Sequence, residues 1–223
     1  MWKIYYADVT PFCDLQLFTE KLKLIDAVRQ KKVLSCKNES DKMRSLGAGL
    51  LLKKAQREAG LLTADGKTLK RPSQTGPYGK ITYDERLDFN LSHSGDFAAA
   101  VVADCKVGID VEERKSRFSS ENGTRHMEQV MKRAFSEDEI GYVSAPEDDM
   151  EKKDRFIFIW TRKEAYAKAY GKGLAMDFKS IDTLQEKGFY SIRLREGCWL
   201  SAYSVGQQEQ LPELVEEEIC MMN

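Results

Sequence analysis

The chain has 223 residues, with 35 Lys plus Arg against 36 Asp plus Glu, a formal net charge of −1. At the usual ~100–200 residues per domain this is one large domain or two small lobes, and 42% hydrophobic with 32% charged residues is a globular balance. Near-neutrality excludes a protein whose main task is to coat a nucleic acid or a membrane surface. The average hides segregation: residues 20–58 hold 11 Lys/Arg against 5 Asp/Glu, while after Val205 the tail carries Glu209, Glu213, Glu216, Glu217 and Glu218 with no basic residue.

Taken in chain order, Trp2–Val9 reads as a short strand closed by Thr10-Pro11. From Leu15 the apolar positions Leu15, Phe18, Leu22 and Ile25 keep helical spacing. After a polar break at Lys37–Ser40, Asp41 is the expected cap of a longer helix over Lys42–Ala59. Its apolar face is Met43, Leu46, Leu50 and Leu51, and Gly60 ends it. Residues 64–88, with three glycines and two prolines, read mostly as loop. Phe97–Ala103 and Lys106–Glu112 read as strands joined in a hairpin at Asp104-Cys105. Arg114–His126 is polar and Ser-rich and reads as a mobile loop. Met127–Phe135 is helical, and Ser136 starts a short helix through Glu137-Asp138-Glu139.

The strongest helix is Met150–Tyr170, with Phe156, Ile159, Trp160 and Ala167 on its buried side and Gly171 as its stop. Phe189–Arg195 and Cys198–Ser204 form a second hairpin around Glu196-Gly197. Helices mixed with antiparallel strands make an α+β fold. No apolar run approaches the ~20 residues of a membrane span, and Met1-Trp2-Lys3-Ile4 begins a strand rather than a signal peptide. The five cysteines are odd in number, scattered and without C-x-x-C, which argues against a disulfide framework or zinc site. The expectation is a cytoplasmic protein with packed, reduced thiols at Cys105 and Cys198.

Three segments carry chemistry, each with a plain alternative. Phe89-Asn90-Leu91-Ser92-His93-Ser94-Gly95 reads as a turn whose backbone amides approach an anion, or as a Ser/Gly turn with an exposed histidine. In Gly108-Ile109-Asp110-Val111-Glu112, alternate strand residues share a face, so Asp110 and Glu112 project together while Ile109 and Val111 face the core. Two carboxylates so close repel unless a proton or cation lies between them, and Mg²⁺ commonly takes one or two carboxylates plus phosphate oxygens. The alternative is the solvent face of an edge strand. In Phe158–Lys168, Glu164 and Lys168 stand at i and i+4, which suits a helical ion pair, or a carboxylate joining the strand pair at a metal with Lys163 and Lys168 on phosphate. Gly171-Lys172-Gly173 lacks the Walker pattern.

The combination of His93-Ser94-Gly95, Gly108-Ile109-Asp110-Val111-Glu112 and Trp160-x-x-Lys163-Glu164-Ala165, in that order, resembles the 4′-phosphopantetheinyl transferase superfamily, and in length its surfactin-type branch. The resemblance runs from about Arg29 to Leu174. It implies two similar α+β lobes related by a pseudo-two-fold axis, here 1–104 and 105–223, with coenzyme A in the cleft between them. It implies transfer of the phosphopantetheine arm of coenzyme A to a serine of an apo acyl, peptidyl or aryl carrier protein, releasing adenosine 3′,5′-bisphosphate. Asp110, Glu112 and Glu164 would hold Mg²⁺, with Mn²⁺ as the alternative ion. Glu164 would also take the serine proton, directly or through a water, and Lys168 would meet the pyrophosphate with Lys163 beside it.

The resemblance also gives Ser92, His93 and Ser94 contacts to coenzyme A phosphates. Tyr78-Gly79-Lys80 would wrap the adenine and phosphates, with Ile81 where the family has proline. Arg29, Lys32 and Ser45 would clasp the 3′-phosphate, with Arg29 where the family usually has lysine. Carrier docking would use the Arg114–His126 loop and the Met127–Phe135 helix, where Arg114, Lys115, Arg117 and Phe118 suit an acidic helix. The working form would be a monomer, with no nucleic-acid or membrane partner. Two other classes share the residues: a non-catalytic binder of coenzyme A or carrier protein, and a Mg²⁺-dependent nucleotide pyrophosphate hydrolase.

Overall fold

A computed structural model describes residues 1–64, 74–75, 80–82, 87–114, 121–206 and 211–222. In chain order these form β1 (Trp2–Asp8), α1 (Leu15–Leu22), α2 (Ala27–Leu34), α3 (Glu39–Glu58), β2 (Gln74–Thr75), β3 (Ile81–Thr82), β4 (Asp88–Ser94), β5 (Phe97–Ala103) and β6 (Val107–Glu113). There follow α4 (Glu121–Ala134), α5 (Glu137–Ser144), α6 (Asp149–Tyr170), β7 (Phe189–Arg195), β8 (Cys198–Ser204) and β9 (Glu213–Glu216). The fold is α+β, as the alternation of helical and strand patterns predicts.

Two sheets carry the structure. One has the order β4-β5-β1-β9 and the other β6-β8-β7, with β2 and β3 paired apart from both. β5 is buried along its whole length because its alanines and valines pack on both faces. Ala98, Ala100 and Val102 meet Leu46, Leu50 and Leu51 of α3. Ala99, Val101 and Ala103 meet Val107, Ile109 and Val111 of β6 and Leu200 and Ala202 of β8. The small side chains let these layers approach closely, and apolar area removed from water stabilises at about 25 cal/mol per Å². The far face of the second sheet is covered by α6. The sequence therefore stacks α3, first sheet, second sheet and α6.

The expected hairpin between the strands at 97–103 and 106–112 does not form. A strand has two edges, and those of β5 are taken by β1 and β4; β6 pairs instead with β8. The hairpin partner of β5 is β4, which the sequence reading treated as a turn: only Gly95 and Asp96 connect them, with Gly95 at φ +56°. The hairpin of β7 with β8 around Glu196-Gly197 forms as expected. Helix α3 starts at Glu39 after Asn38 rather than after Asp41, because the Asp41 carboxylate is engaged by Asn38 Nδ2 at 3.1 Å and by Arg44. The run from Leu15 to Ile25 breaks after Leu22, and Asp26 caps a separate α2 by accepting from the Arg29 N–H.

Residues 121–126, expected in a loop, belong to α4, whose Met127, Met131 and Ala134 bury against Phe135 and Phe156. Residues 115–120 lie outside the described residues. The polypeptide passes from the first sheet to the second at Asp104–Lys106. Its tail then returns, with β9 parallel to β1, so the last segment does not stay with the second group of elements. Its acids are spent there: Glu213 pairs with Lys3 at 3.0 Å and Glu217 with Lys54 at 2.8 Å. All five cysteines are free thiols, and Cys198 is buried. No helix among the described residues is long and apolar enough to cross a membrane.

The contact between α6 and β6 is closest at Gly108. A Cβ there would lie 2.0 Å from the Ala165 carbonyl oxygen and 2.4 Å from the Ala169 nitrogen. Both are backbone atoms of α6, so no side chain can turn aside to make room. Overpacking of this kind costs ~1–3 kcal/mol or more. Gly108→Ala is expected to lower the melting temperature by roughly 2–12 °C, at about 2–4 °C per kcal/mol for a chain of this size, as read by a thermal melt followed by circular dichroism.

Candidate active site

β6 pairs with β8 along one edge only, which leaves the N–H groups of its other edge in need of acceptors. Alternate side chains of β4 supply them. Val107 N–H donates to Asp88 Oδ2 at 2.9 Å, Ile109 N–H to Asn90 Oδ1 at 3.1 Å, Val111 N–H to Ser92 Oγ at 3.2 Å and Glu113 N–H to Ser94 Oγ at 3.2 Å. Each donor lies 19 positions beyond its acceptor, so β4 and β6 run parallel, linked through side chains. The serines also reach the strand carboxylates, donating to Asp110 Oδ1 at 2.9 Å and to Glu112 Oε2 at 3.1 Å.

The opposite wall is α6. Gly108, Asp110 and Glu112 share the face of β6 that looks at this helix, and the close approach at Gly108 brings Glu164 and Lys168 to the two carboxylates. Lys168 Nζ bonds Asp110 Oδ1 at 2.6 Å and Ser92 Oγ at 3.0 Å, so its partner is the strand aspartate and not Glu164 one helical turn away. Burial first, then repulsion from Asp110 and, after the opposing pull of Lys168, from Glu112 pushes the Glu164 carboxyl up to about 7. These groups line a cavity of about 650 Å³ with Arg29, Lys32, Ser45, Lys80, Asn90, His93 and Trp160.

The cavity wall also carries cations. Arg29 and Lys32 come from α2, and Lys32 is held below its ordinary value, first by desolvation and then by the neighbouring Arg29 charge. His93 is likewise held down, by desolvation and then by Arg44, Lys168 and Lys32. Lys32 and His93 thus sit beside neighbouring positive charges, a place where an anion is stabilising.

Most of the residues singled out in the sequence thus meet around one cavity. Lys163 does not. Its side chain is fully buried and points to the other side of α6, where Nζ pairs with Glu139 Oε2 at 2.7 Å and bonds the carbonyl oxygens of Phe178, at 2.7 Å, and Ile181. Three ammonium protons with three acceptors leave nothing for a phosphate, so the expected phosphate contact of Lys163 is replaced by a structural pin. Lys80 lines the cavity, but its ammonium bonds Asp88, Val107 O at 2.8 Å and Ala169 O at 3.1 Å. Ser94 is not among the cavity walls. Tyr78 and Gly79 lie outside the described residues. Asn90 was missed as a site residue, although the polar alternation Asp88-x-Asn90-x-Ser92-x-Ser94 was its signal in the sequence.

Among the described residues no three His, Cys, Asp or Glu side chains close on one point as a ready metal cluster. The donor chemistry nonetheless fits a divalent cation of the Mg²⁺ type. Asp110 Oδ2 is buried with no hydrogen-bond partner among the described residues, and Glu164 is destabilised as an anion by desolvation and then by Asp110 and Glu112. A hard cation completes its shell with waters and phosphate oxygens, so two or three carboxylates suffice on the protein side.

Arg29 and Lys32 of α2 thus line the same cavity as Asp110, Glu112, Glu164 and Lys168. The sequence model of the 4′-phosphopantetheinyl transferase superfamily matches residues 106–216. A 4′-phosphopantetheinyl transferase of Bacillus subtilis is 29% identical over 199 residues, spanning 86% of this chain and 84% of the relative. The 4′-phosphopantetheinyl transferase pptA of Paxillus involutus is 30% identical over 225 residues, 92% of this chain and 81% of the relative. The 4′-phosphopantetheinyl transferase Sfp of Bacillus subtilis (strain 168) is 33% identical over 137 residues, 59% of this chain and 57% of the relative. The chain belongs to the 4′-phosphopantetheinyl transferase superfamily, in its surfactin-type branch, and is a transferase.

Two outcomes test the electrostatics on the two sides of α6. Because the folded Glu164 carboxyl titrates near 7 instead of its ordinary 4.5, the metal-free folded protein binds this proton more tightly than the unfolded chain. The associated stability is fully present below about pH 4.5 and is lost as the pH rises through about 7. Glu164→Gln is therefore expected to melt several degrees higher than wild type at pH 8 in the presence of EDTA, with the gain shrinking as the pH falls and vanishing below about pH 4.5. Lys163→Met, which strands the buried Glu139 carboxylate, is expected to cost about 3–5 kcal/mol in a urea titration. Adding Glu139→Gln to that variant should recover part of the loss.

Proposed function

We propose that the chain transfers the 4′-phosphopantetheine arm of coenzyme A to a serine hydroxyl of an apo carrier protein, yielding holo carrier protein and adenosine 3′,5′-bisphosphate. The observation that carries this reading is the meeting, around one cavity, of Asp110, Glu112, Glu164 and Lys168 with Arg29, Lys32, Ser45 and His93. Coenzyme A has phosphates at two separated places, a pyrophosphate and a 3′-phosphate, and cations from two elements, Lys168 of α6 and Arg29 and Lys32 of α2, suit both. The names of the relatives support the same reaction.

In this reading Arg29, Lys32 and Ser45 hold the 3′-phosphate, and Lys168 holds the pyrophosphate. Asp110, Glu112 and Glu164 would hold Mg²⁺. When bound, the cation neutralises charge on the pyrophosphate and on the departing phosphate. The carrier serine oxygen bonds to the phosphorus that bears the pantetheine arm, and the bond from that phosphorus to the bridging oxygen breaks. Adenosine 3′,5′-bisphosphate leaves with the electron pair. Glu164 accepts the serine proton, directly or through a water. Asp110 is buried, and Glu112 and Glu164 are half-buried. One chain supplies every residue of the set, so the reading is of a monomer, with residues 1–104 and 105–223 as the two lobes, the 211–222 tail crossing back to the first.

Intact-mass spectrometry after incubation with Mg²⁺, coenzyme A and a panel of apo carriers tests the proposal. The expected result is a mass gain of one phosphopantetheine arm on at least one carrier, abolished by Glu164→Gln without loss of the folded circular dichroism spectrum. Consumption of coenzyme A with no gain on any carrier identifies a pyrophosphate hydrolase instead. Binding of coenzyme A with neither change identifies a non-catalytic module.

A further inference from the structure

We propose that Ser94 is a positioning residue for the metal carboxylate Glu112, that Ser92 serves Asp110 in the same way, and that neither hydroxyl is a phosphate ligand. The inference rests on the metal-dependent reading above and deepens it by naming what orients the carboxylates.

The first argument is hydrogen-bond capacity. A serine hydroxyl has one proton to donate and two lone pairs to accept with. The Ser92 proton goes to Asp110 Oδ1 at 2.9 Å, and its lone pairs take the Val111 N–H at 3.2 Å and Lys168 Nζ at 3.0 Å. That hydroxyl is saturated. The Ser94 proton goes to Glu112 Oε2 at 3.1 Å, and its oxygen takes the Glu113 N–H at 3.2 Å. A phosphate oxygen requires a donor, and both donors are committed to carboxylates. Ser94 also lies outside the cavity lining, at 6% exposure.

The second argument is register. Each serine accepts from the N–H 19 positions on and donates to the carboxylate 18 positions on. The same two-residue step that separates Ser92 from Ser94 on β4 separates Asp110 from Glu112 on β6. One serine therefore ties the β6 backbone and the carboxylate beside that backbone group to a single atom. At Asp110 the consequence is visible: Oδ1 is occupied by Ser92 and Lys168, and Oδ2 is left buried and without a partner among the described residues. An orientation in which one oxygen is anchored and the other held dry suits a ligand that binds through the second. Partners that orient metal-binding side chains in this manner are worth ~10–100-fold in metal affinity.

Ser94→Ala removes the donor while leaving the cavity walls intact. With Mn²⁺ as the probe, titrated by electron paramagnetic resonance with saturating coenzyme A and no carrier, the expected result is about tenfold weaker metal binding. Affinity for adenosine 3′,5′-bisphosphate in EDTA, read by calorimetry, should stay within about twofold of wild type. In the Glu112→Gln background the same substitution should have little further effect on Mn²⁺, since it acts through that carboxylate. If Ser94→Ala fails to fold, Ser94→Cys, of closely similar shape but with a weak donor, carries the same measurement. Unchanged Mn²⁺ affinity, or a loss confined to the nucleotide, overturns the proposal. Because both readouts are binding measurements without carrier, the proposal can fail while the wild-type transfer assay succeeds, and the reverse.

Discussion

The structure depends on how the open edge of β6 is satisfied. A strand edge facing protein instead of water must find acceptors for its N–H groups, since an unpaired buried donor costs ~1–3 kcal/mol. In most sheets a neighbouring backbone supplies them. Here the side chains of Asp88, Asn90, Ser92 and Ser94 do so, and the substitution has consequences that backbone pairing would not. It joins two sheets that share no strand. It fixes β6 in parallel register against β4, with no slip possible without breaking all four bonds. It also leaves the hydroxyl protons of Ser92 and Ser94 free to engage Asp110 and Glu112 on the same strand.

The second support is α6, which is held from both sides. Toward β6 the missing side chain of Gly108 lets backbone approach backbone. On the opposite side Lys163 and Glu139 form a fully buried ion pair, and the remaining Glu139 oxygen accepts from the Thr183 N–H and hydroxyl at 2.7 Å each. Such a pair adds little net stability compared with apolar packing, yet it tolerates only one geometry. Glu164 and Lys168 therefore sit on a helix whose rotation is set by its neighbour Lys163. The mutual repulsion of Asp110, Glu112 and Glu164 is a cost of that placement, partly offset by Lys168, and it makes the site receptive to a cation.

The overall charge of −1 conveyed none of this, because functional charges of both signs converge on one cavity. The basic excess at residues 20–58 divides once folded. Arg29 and Lys32 reach the cavity. Lys42 and Lys54 pair with Glu39 and Glu217, and Arg44 donates to the Gly95 carbonyl at 2.9 Å, bracing the β4–β5 turn. The acidic tail, featureless as sequence, is the counterpart of Lys3 and Lys54 beside β1.

The sequence alone determined the local elements whose pattern is strong: the helix ending at Gly171, the Ser136 cap of α5, the β7–β8 hairpin and the shared face of Asp110 and Glu112. It also carried the motif order that the family relationship bears out, because those signals lie within a few residues of one another. Tertiary structure decided which strand edges meet, since a strand's pairing partner depends on competition between distant segments; hence β5 chose β1 and β4 over its neighbour β6. It decided, too, that Lys163 turns into the core while Lys168 turns to the site. Both are lysines on one helix, five positions apart, and only the packing around α6 distinguishes an ammonium facing Glu139 from one facing Asp110.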